Sequence, residues 1–291
     1  MLNIDEHTIT GEALRRIAET PNPRLKVLMT ALIRHLHDFA RETHLTEQEW
    51  MAGIEFLTRT GHTCTPTRQE FILLSDTLGL SQLVVAQNHS RPDGITEQTV
   101  FGPFHVESAP VLPTHGAEIA HGSVGEPLFV SARVVDPAGR PVAGAKVDTW
   151  HADADGFYDI QSPDWVPEDA RMRGVLMTDP AGAFSFWSVM PASYPIPMDG
   201  PVGEMMRATA RHPMRPAHIH FMITQPGFDP IVTHVFVDGD EWLDSDAVFG
   251  VRSSCIGQYL RHPAGKARDG RELAQPFYSL DYDFVLHPVA S

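Results

Sequence analysis

The sequence predicts a mainly β protein: an antiparallel β-sandwich core preceded by an α-helical N-terminal region. Two changes of rhythm predict it. Over residues 1 to about 90, apolar residues recur at steps of three and four, the spacing of one helical face. From about residue 100 the apolar runs become short, β-branched and aromatic, and are separated by Pro, Gly and Asp. A third observation is that no long helical pattern intervenes, so the strands are expected to pair with one another directly.

In chain order, Pro23 opens a helix whose stripe is Leu25, Leu28, Leu32, Leu36 and Phe39. Thr46 with Glu49, and Thr67 with Glu70, have the spacing of capping boxes and are expected to start two more helices. The second of these contains Phe71, Leu74 and Leu78, with Gly79 placed to end it. "SQLVVAQNH" completes four or five helices. The expected strands are "PLFVSARVVD", "AKVDTWHA", "AFSFWSV", "AHIHFMI" and "PIVTHVFVDG", with turns at "DPAGRP", "TDPAGA" and "TQPGFDP". In the tail, Tyr278, Leu280, Tyr282, Phe284 and Leu286 alternate along one strand face. No internal repeat or low-complexity segment is present. The expected division is a helical domain over residues 1–100 and a sandwich domain over 101–291.

Composition narrows the function classes. Hydrophobic content of 42% and charged content of 20% are those of a soluble globular protein. A formal net charge of −15 disfavours nucleic acid and anionic membrane surfaces as partners. "MLNIDEHTIT" has neither a basic nor an apolar leader segment, and no apolar run reaches membrane-spanning length. Two cysteines, Cys64 and Cys255, do not make a disulfide framework and suit a reducing compartment. The expectation is a cytoplasmic enzyme or a soluble binding protein.

"RPAHIHF" carries the first chemical signal. In a strand, His218 and His220 point to one face while Ile219 and Phe221 point to the other. Paired histidines suggest zinc, for which His234 is a candidate third ligand, but no H-E-x-x-H helix accompanies them. The five tyrosines are more informative. Tyr278 and Tyr282 belong to the alternating tail, and Tyr259 has no distinctive context. Tyr158 follows a tight turn after a strand carrying Trp150, and Tyr194 sits in "MPASYPIPMDGPVG", read as an irregular proline-rich loop. "DADADG" fails the EF-hand spacing and reads as a turn. Two tyrosines with two histidines suit Fe(III), whose charge lowers a phenol pKa from about 10 so that tyrosinate binds at neutral pH. Two tyrosinates and a hydroxide balance three positive charges, and an ortho-diphenol arriving as a dianion can replace one tyrosinate and the hydroxide without changing the sum.

"WHADADGFYD", "YPIPMDGPVG" and "RPAHIHF", in that order over a sandwich, resemble the intradiol ring-cleaving dioxygenases. The resemblance covers nearly the whole chain, since members of the catechol type also carry an N-terminal helical region. It implies Fe(III) held by Tyr158, Tyr194, His218 and His220, with Tyr194 the ligand that leaves, and Arg215 stabilising negative charge on the substrate. "EFILLSDTLGLS", "TEQTVFGPFHVESAP" and "THVFVDGDEWLDSDAVFGV" are similar to the hydroxyquinol-cleaving subgroup. That likeness implies a pocket lined by Leu73, Asp76, Val100, Phe101, Gly102, Pro103, Phe104, Ile196, Pro197 and Val248. It further implies cleavage of hydroxyquinol (1,2,4-trihydroxybenzene) by O2 to 3-hydroxy-cis,cis-muconate, the tautomer of maleylacetate, and homodimerisation through the N-terminal helices. Asp76, one helical turn from Leu73, is the candidate partner of the third ring hydroxyl. Catechol-cleaving members carry glutamine where this chain has His234, which makes His234 a pocket and catalytic candidate. Catechol or chlorocatechol cleavage, a zinc hydrolase and a non-catalytic transthyretin-like module are the alternatives.

Overall fold

The computed structural model describes residues 3–65, 68–89, 92–162 and 164–289. The chain divides into two compact units, residues 1–62 and 63–291. The first is built from α1 (Ile9–Arg16), α2 (Pro23–Glu42) and α3, which runs over Glu47–Thr63 and ends at the boundary. Pro23 is the first residue of α2, and the Asn22 side chain accepts the Leu25 N–H at 3.0 Å. The Thr46–Glu49 capping box forms: the Glu49 carboxylate accepts from the Thr46 N–H at 2.9 Å, and the Thr46 hydroxyl accepts from the Glu49 N–H. The stripe Leu25, Leu28, Leu32, Leu36 and Phe39 is exposed along α2, as are Trp50, Met51, Ile54 and Leu57 on α3.

The second unit opens with α4 (Glu70–Thr77) and α5 (Leu80–Asn88), separated by Gly79 in the left-handed region. The expected Thr67–Glu70 box is corrected here. Thr67 lies outside the described residues, and Glu70 is the first residue of α4 rather than its third. Its carboxylate is engaged elsewhere: it accepts from Arg68 at 3.0 Å and from the Val202 N–H at 3.1 Å. Val202 belongs to the first turn of α6 (Pro201–Ala208), so Glu70 caps α6 instead of α4. Its first three residues fall within "MPASYPIPMDGPVG", expected as a proline-rich loop; Pro201 instead begins a helix.

Two five-stranded sheets follow. One runs β1 (Ala117–Glu118), β5 (Ala183–Val189), β2 (Pro127–Val135), β14 (Phe277–Val285), β11 (Tyr259–His262). The other runs β10 (Ile256–Gly257), β9 (Ile231–Val237), β8 (His218–Thr224), β3 (Lys146–His151), β4 (Arg173–Met177). Two short ribbons pair β12 (Gly265–Lys266) with β13 (Glu272–Leu273), and β6 (Tyr194–Pro195) with β7 (Met214–Arg215). The five expected strands are β2, β3, β5, β8 and β9. Pairing is antiparallel within the sheets except for β2–β14 and the short β1–β5 and β9–β10 pairs. The long connection to the last strand lets β14 lie parallel to β2.

The inner faces meet in one core. Leu128, Val130, Val134, Phe184, Phe186, Leu280 and Phe284 from the first sheet pack against Val147, Leu176, Ile219, Phe221, Ile223 and Val235 from the second. Period-two alternation then decides where the chemistry sits. Because Ile219 and Phe221 face the core, His218 and His220 must stand on the outer face of the second sheet.

Candidate metal centre

Strand register assembles the first part of the site. Trp150 on β3 lies opposite His220 on β8, and His220 lies opposite His234 on β9. These three form a row across the outer face, with His218 beside it, two residues from His220. The Trp150 ring stacks on His220 at 4.7 Å and 13°. His218, His220 and His234 are all buried, and one ring nitrogen from each lies within 4.8 Å of the others.

Two tyrosines close over this row. Tyr158 follows a turn in which the Asp153 carboxylate accepts the Asp155 and Phe157 N–H groups. Gly156, at φ +86°, completes the turn, and an added Cβ there would sit 2.8 Å from Tyr194 Cβ. Only glycine serves both demands. Tyr194 is not in an irregular loop: it forms the two-residue ribbon β6–β7, in register with Arg215. The tyrosine hydroxyls are 3.3 Å apart, Tyr158 Oη is 3.0 Å from His220 Nε2, and His218 Nε2 is 3.1 Å from His220 Nε2.

That spacing tests whether an ion fits. Neighbouring donors on a metal with bonds of ~2.0–2.1 Å lie roughly 3 Å apart, as these do. The protonation pattern agrees. The His218 Nδ1–H donates to the Pro216 carbonyl at 2.7 Å, which leaves Nε2 a lone pair directed at the cluster. Burial, and then the Arg215 charge, lower His218 to about 3. Burial followed by neighbouring imidazoles depresses His220 and His234 well below their ordinary value. Burial and the adjacent Tyr194 push the Tyr158 phenol well above 10. Neutral imidazoles and the Tyr158 phenol thus face one another in a buried cluster, an arrangement that a cation relieves by lowering the phenol pKa and accepting the nitrogen lone pairs.

The other sequence candidates are distributed around this cluster. Arg215 is buried; burial opposes its charge, but the Asp246 carboxylate, with Tyr194 and Tyr158 adding to it, holds the guanidinium above its ordinary range. Its Nη1 lies 3.4 Å from His218 Nε2. Phe104 stacks on Tyr158 at 4.3 Å. Gly102 approaches His220 so closely that an added Cβ would lie 3.1 Å from Cε1. The Phe101 ring packs at 5.8 Å from Trp150 and is exposed, as is Pro103. Val100, Ile196 and Val248 are buried, while Leu73 and Pro197 are half-buried. Asp76 is buried on α4; desolvation raises its pKa, against a bond from Ser81 and the Arg215 charge. Sequence reasoning missed Thr99, whose hydroxyl lies 2.7 Å from His234 Nδ1, and Asp246, which binds Arg215. Neither has a local motif; both lay inside stretches valued for other residues.

Comparison with known proteins supplies the family. Residues 100–288 match the family model described as Dioxygenase, and residues 22–96 match Catechol dioxygenase N terminus. The chain is 56% identical to 6-chlorohydroxyquinol 1,2-dioxygenase of Cupriavidus pinatubonensis, with 99% of each chain covered. It is 48% identical to hydroxyquinol 1,2-dioxygenase of Nocardioides simplex, covering 97% of this chain and 96% of that one. The solved structure of hydroxyquinol 1,2-dioxygenase from Pseudomonas putida superposes with a TM-score of 0.90 at 47% identity, over 98% of this chain and 99% of that one.

Buried neutral imidazoles make stability depend on pH. His151, outside the cluster, donates Nδ1–H to the Ala152 carbonyl at 2.6 Å and is lowered by burial to about 4. Folded-state values of about 3 and 4, for His218 and His151, lie below the ordinary 6.5, so the unfolded chain binds protons first as pH falls. Their contribution is complete above pH 6.5 and is lost as pH drops toward 4 and then 3. Urea denaturation of the metal-free protein between pH 7.5 and 4 should show falling stability below 6.5. A flat profile would show that these imidazoles are not held neutral.

Proposed function

The chain belongs to the intradiol dioxygenase family, and from that premise we propose that it cleaves hydroxyquinol with O2 at an Fe(III) centre held by Tyr158, Tyr194, His218 and His220. The product is 3-hydroxy-cis,cis-muconate, which tautomerises to maleylacetate. One observation carries the ligand assignment: two phenol oxygens and two imidazole nitrogens converge at about 3 Å spacing in a buried pocket. When bound, Fe(III) supplies the positive charge that stabilises tyrosinate and a diolate substrate and makes the ring reactive toward O2.

The protein's own residues divide the remaining work. Tyr158 is pinned, its ring stacked on Phe104 and its N–H bound to Gln161 Oε1 at 2.8 Å. Tyr194 rests on a two-residue ribbon, which supports its assignment as the ligand released when substrate arrives. Its phenolate oxygen, once released, would accept the proton of one ring hydroxyl of the substrate. Arg215 faces the same space and offsets negative charge on the bound ring. His234, anchored through Nδ1 by Thr99, presents Nε2, which has no hydrogen-bond partner among the described residues, toward the cluster. Trp150, Phe104 and the β8–β9 sheet exclude water.

The ligand assignment has a direct test. The purified protein should carry iron and a red to purple tyrosinate charge-transfer band. Tyr194→Phe should keep some iron and lose much of its turnover, whereas His220→Ala should lose iron outright. A colourless, fully active zinc protein would sink the iron assignment, and a fully coloured, fully active Tyr194→Phe would remove Tyr194 from the ligand set.

Asp76 is the proposed partner of the third ring hydroxyl. Its burial removes the plain alternative of a solvent-facing helix residue. A hydroxyl entering an apolar pocket without a partner costs about 1–3 kcal/mol. Asp76→Ala should therefore lower kcat/KM for hydroxyquinol by roughly ten- to a hundredfold and leave weak catechol cleavage nearly unchanged. Equal losses on both substrates in a panel that includes 6-chlorohydroxyquinol would mean that Asp76 does not set the choice.

The exposed stripes of α2 and α3 support a homodimer formed through the N-terminal helices. Light scattering at micromolar concentration should give twice the chain mass, and a monomer there would contradict the proposal. No described helix is long and apolar enough to cross a membrane.

A further inference from the structure

Arg215 and Asp246 are both buried, at 4% and 6% exposure, so their pairing is not an ordinary surface ion pair. Arg215 Nε donates to Asp246 Oδ1 at 3.1 Å and Nη2 to Oδ2 at 3.3 Å. The same two oxygens are fixed from the other side: Oδ1 accepts the Val248 N–H at 3.3 Å, and Oδ2 accepts the Gly250 N–H at 2.8 Å. A carboxylate held at both oxygens by its own loop cannot swing, and neither can a guanidinium bound to it at two nitrogens. The third nitrogen, Nη1, is left facing His218.

The loop is shaped for this contact. Phe249 lies in the left-handed region at φ +59°, a conformation that costs energy for a bulky residue and needs the surroundings to impose it. An added Cβ on Gly250 would lie 2.9 Å from Arg215 Nη2 and 3.0 Å from Asp246 Oδ2. Arg211 braces the loop from outside, donating to the Ala247 carbonyl at 3.0 Å and lying 5.2 Å over the Phe249 ring.

We propose that residues 246–250 form a positioning cradle for Arg215, in which Asp246 aims the guanidinium at the substrate and Gly250 leaves the space for it. Asp246 is a positioning residue: it acts through Arg215. The inference rests on the reading that Arg215 meets the bound diolate, and it adds to that reading what holds the guanidinium in place.

Two independent perturbations reach the same group, Asp246→Asn by charge and Gly250→Ala by volume. In the iron-loaded protein each should retain iron and the resting visible band, while kcat for hydroxyquinol falls by about ten- to a hundredfold with a smaller change in KM. In an Arg215→Met background neither should add appreciably to the loss, because both act through the missing group. In the metal-free protein, Asp246→Asn should also speed amide exchange across residues 246–250, a readout independent of iron. Additive losses in the Arg215→Met background, loss of iron with the band, or unchanged exchange would overturn the cradle. If Asp246→Asn does not fold, Gly250→Ala, which keeps the charges, decides alone. An Arg215→Met enzyme with full turnover would overturn both the inference and the reading beneath it. A damaged Arg215→Met beside intact Asp246→Asn and Gly250→Ala would overturn the inference only.

Discussion

The arrangement answers to one constraint: two phenols, three imidazoles and a guanidinium are buried together on the outer face of a sheet. Each buried polar group left without a partner costs about 1–3 kcal/mol, and several here face one another rather than complementary partners. Evolved packing reduces the penalty where it can. His218 Nδ1 finds the Pro216 carbonyl, His234 Nδ1 finds Thr99, and Arg215 finds Asp246. What remains is gathered in one buried cluster: the phenol oxygens of Tyr158 and Tyr194, Nε2 of His218 and His220, and Nε2 of His234. The proposed cation is the partner that the set lacks, so metal binding and the integrity of this face are one problem.

The sheet solves the geometric half of that problem. Period-two alternation sends Ile219, Phe221 and Ile223 into a dry core and the histidines out of it on the same strand. The core therefore fixes the histidine row through backbone register without sharing any side chain with it. Tyr158 and Tyr194 arrive from a turn and a two-residue ribbon, since no strand of that sheet runs above its own outer face.

Most of this was legible in the sequence where local rules decide. Pro23, the Thr46–Glu49 box and the alternation of β8 and β14 depend on neighbours a few residues away, and they stood as expected. The misreadings lie where distant partners intervene. Glu70 has capping-box spacing to Thr67, but it caps α6, 132 residues further on. The segment 190–203 reads as an irregular proline-rich loop, yet Pro195 sits in a ribbon and Pro201 starts a helix. At the site, the His218–His220 pair followed from spacing, whereas the tyrosines needed a family resemblance to be joined to it. Thr99 and Asp246 were invisible to both, because a threonine 135 residues from its histidine leaves no periodic trace.

An asymmetry between the two tyrosines links these points to chemistry. Tyr158 is locked by a turn, a stacked ring and a side-chain amide, all contacts that would have to break for it to move. Tyr194 has one ladder partner, and that partner is Arg215. The backbone that carries the proposed leaving ligand is therefore hydrogen-bonded to the backbone that carries the proposed charge stabiliser. Tyr194 thus lies across the ladder from a residue whose side chain is clamped by Asp246. The ribbon can yield at one side chain while the other stays aimed, which is what a site needs if it is to exchange a ligand without losing its grip on the substrate's charge.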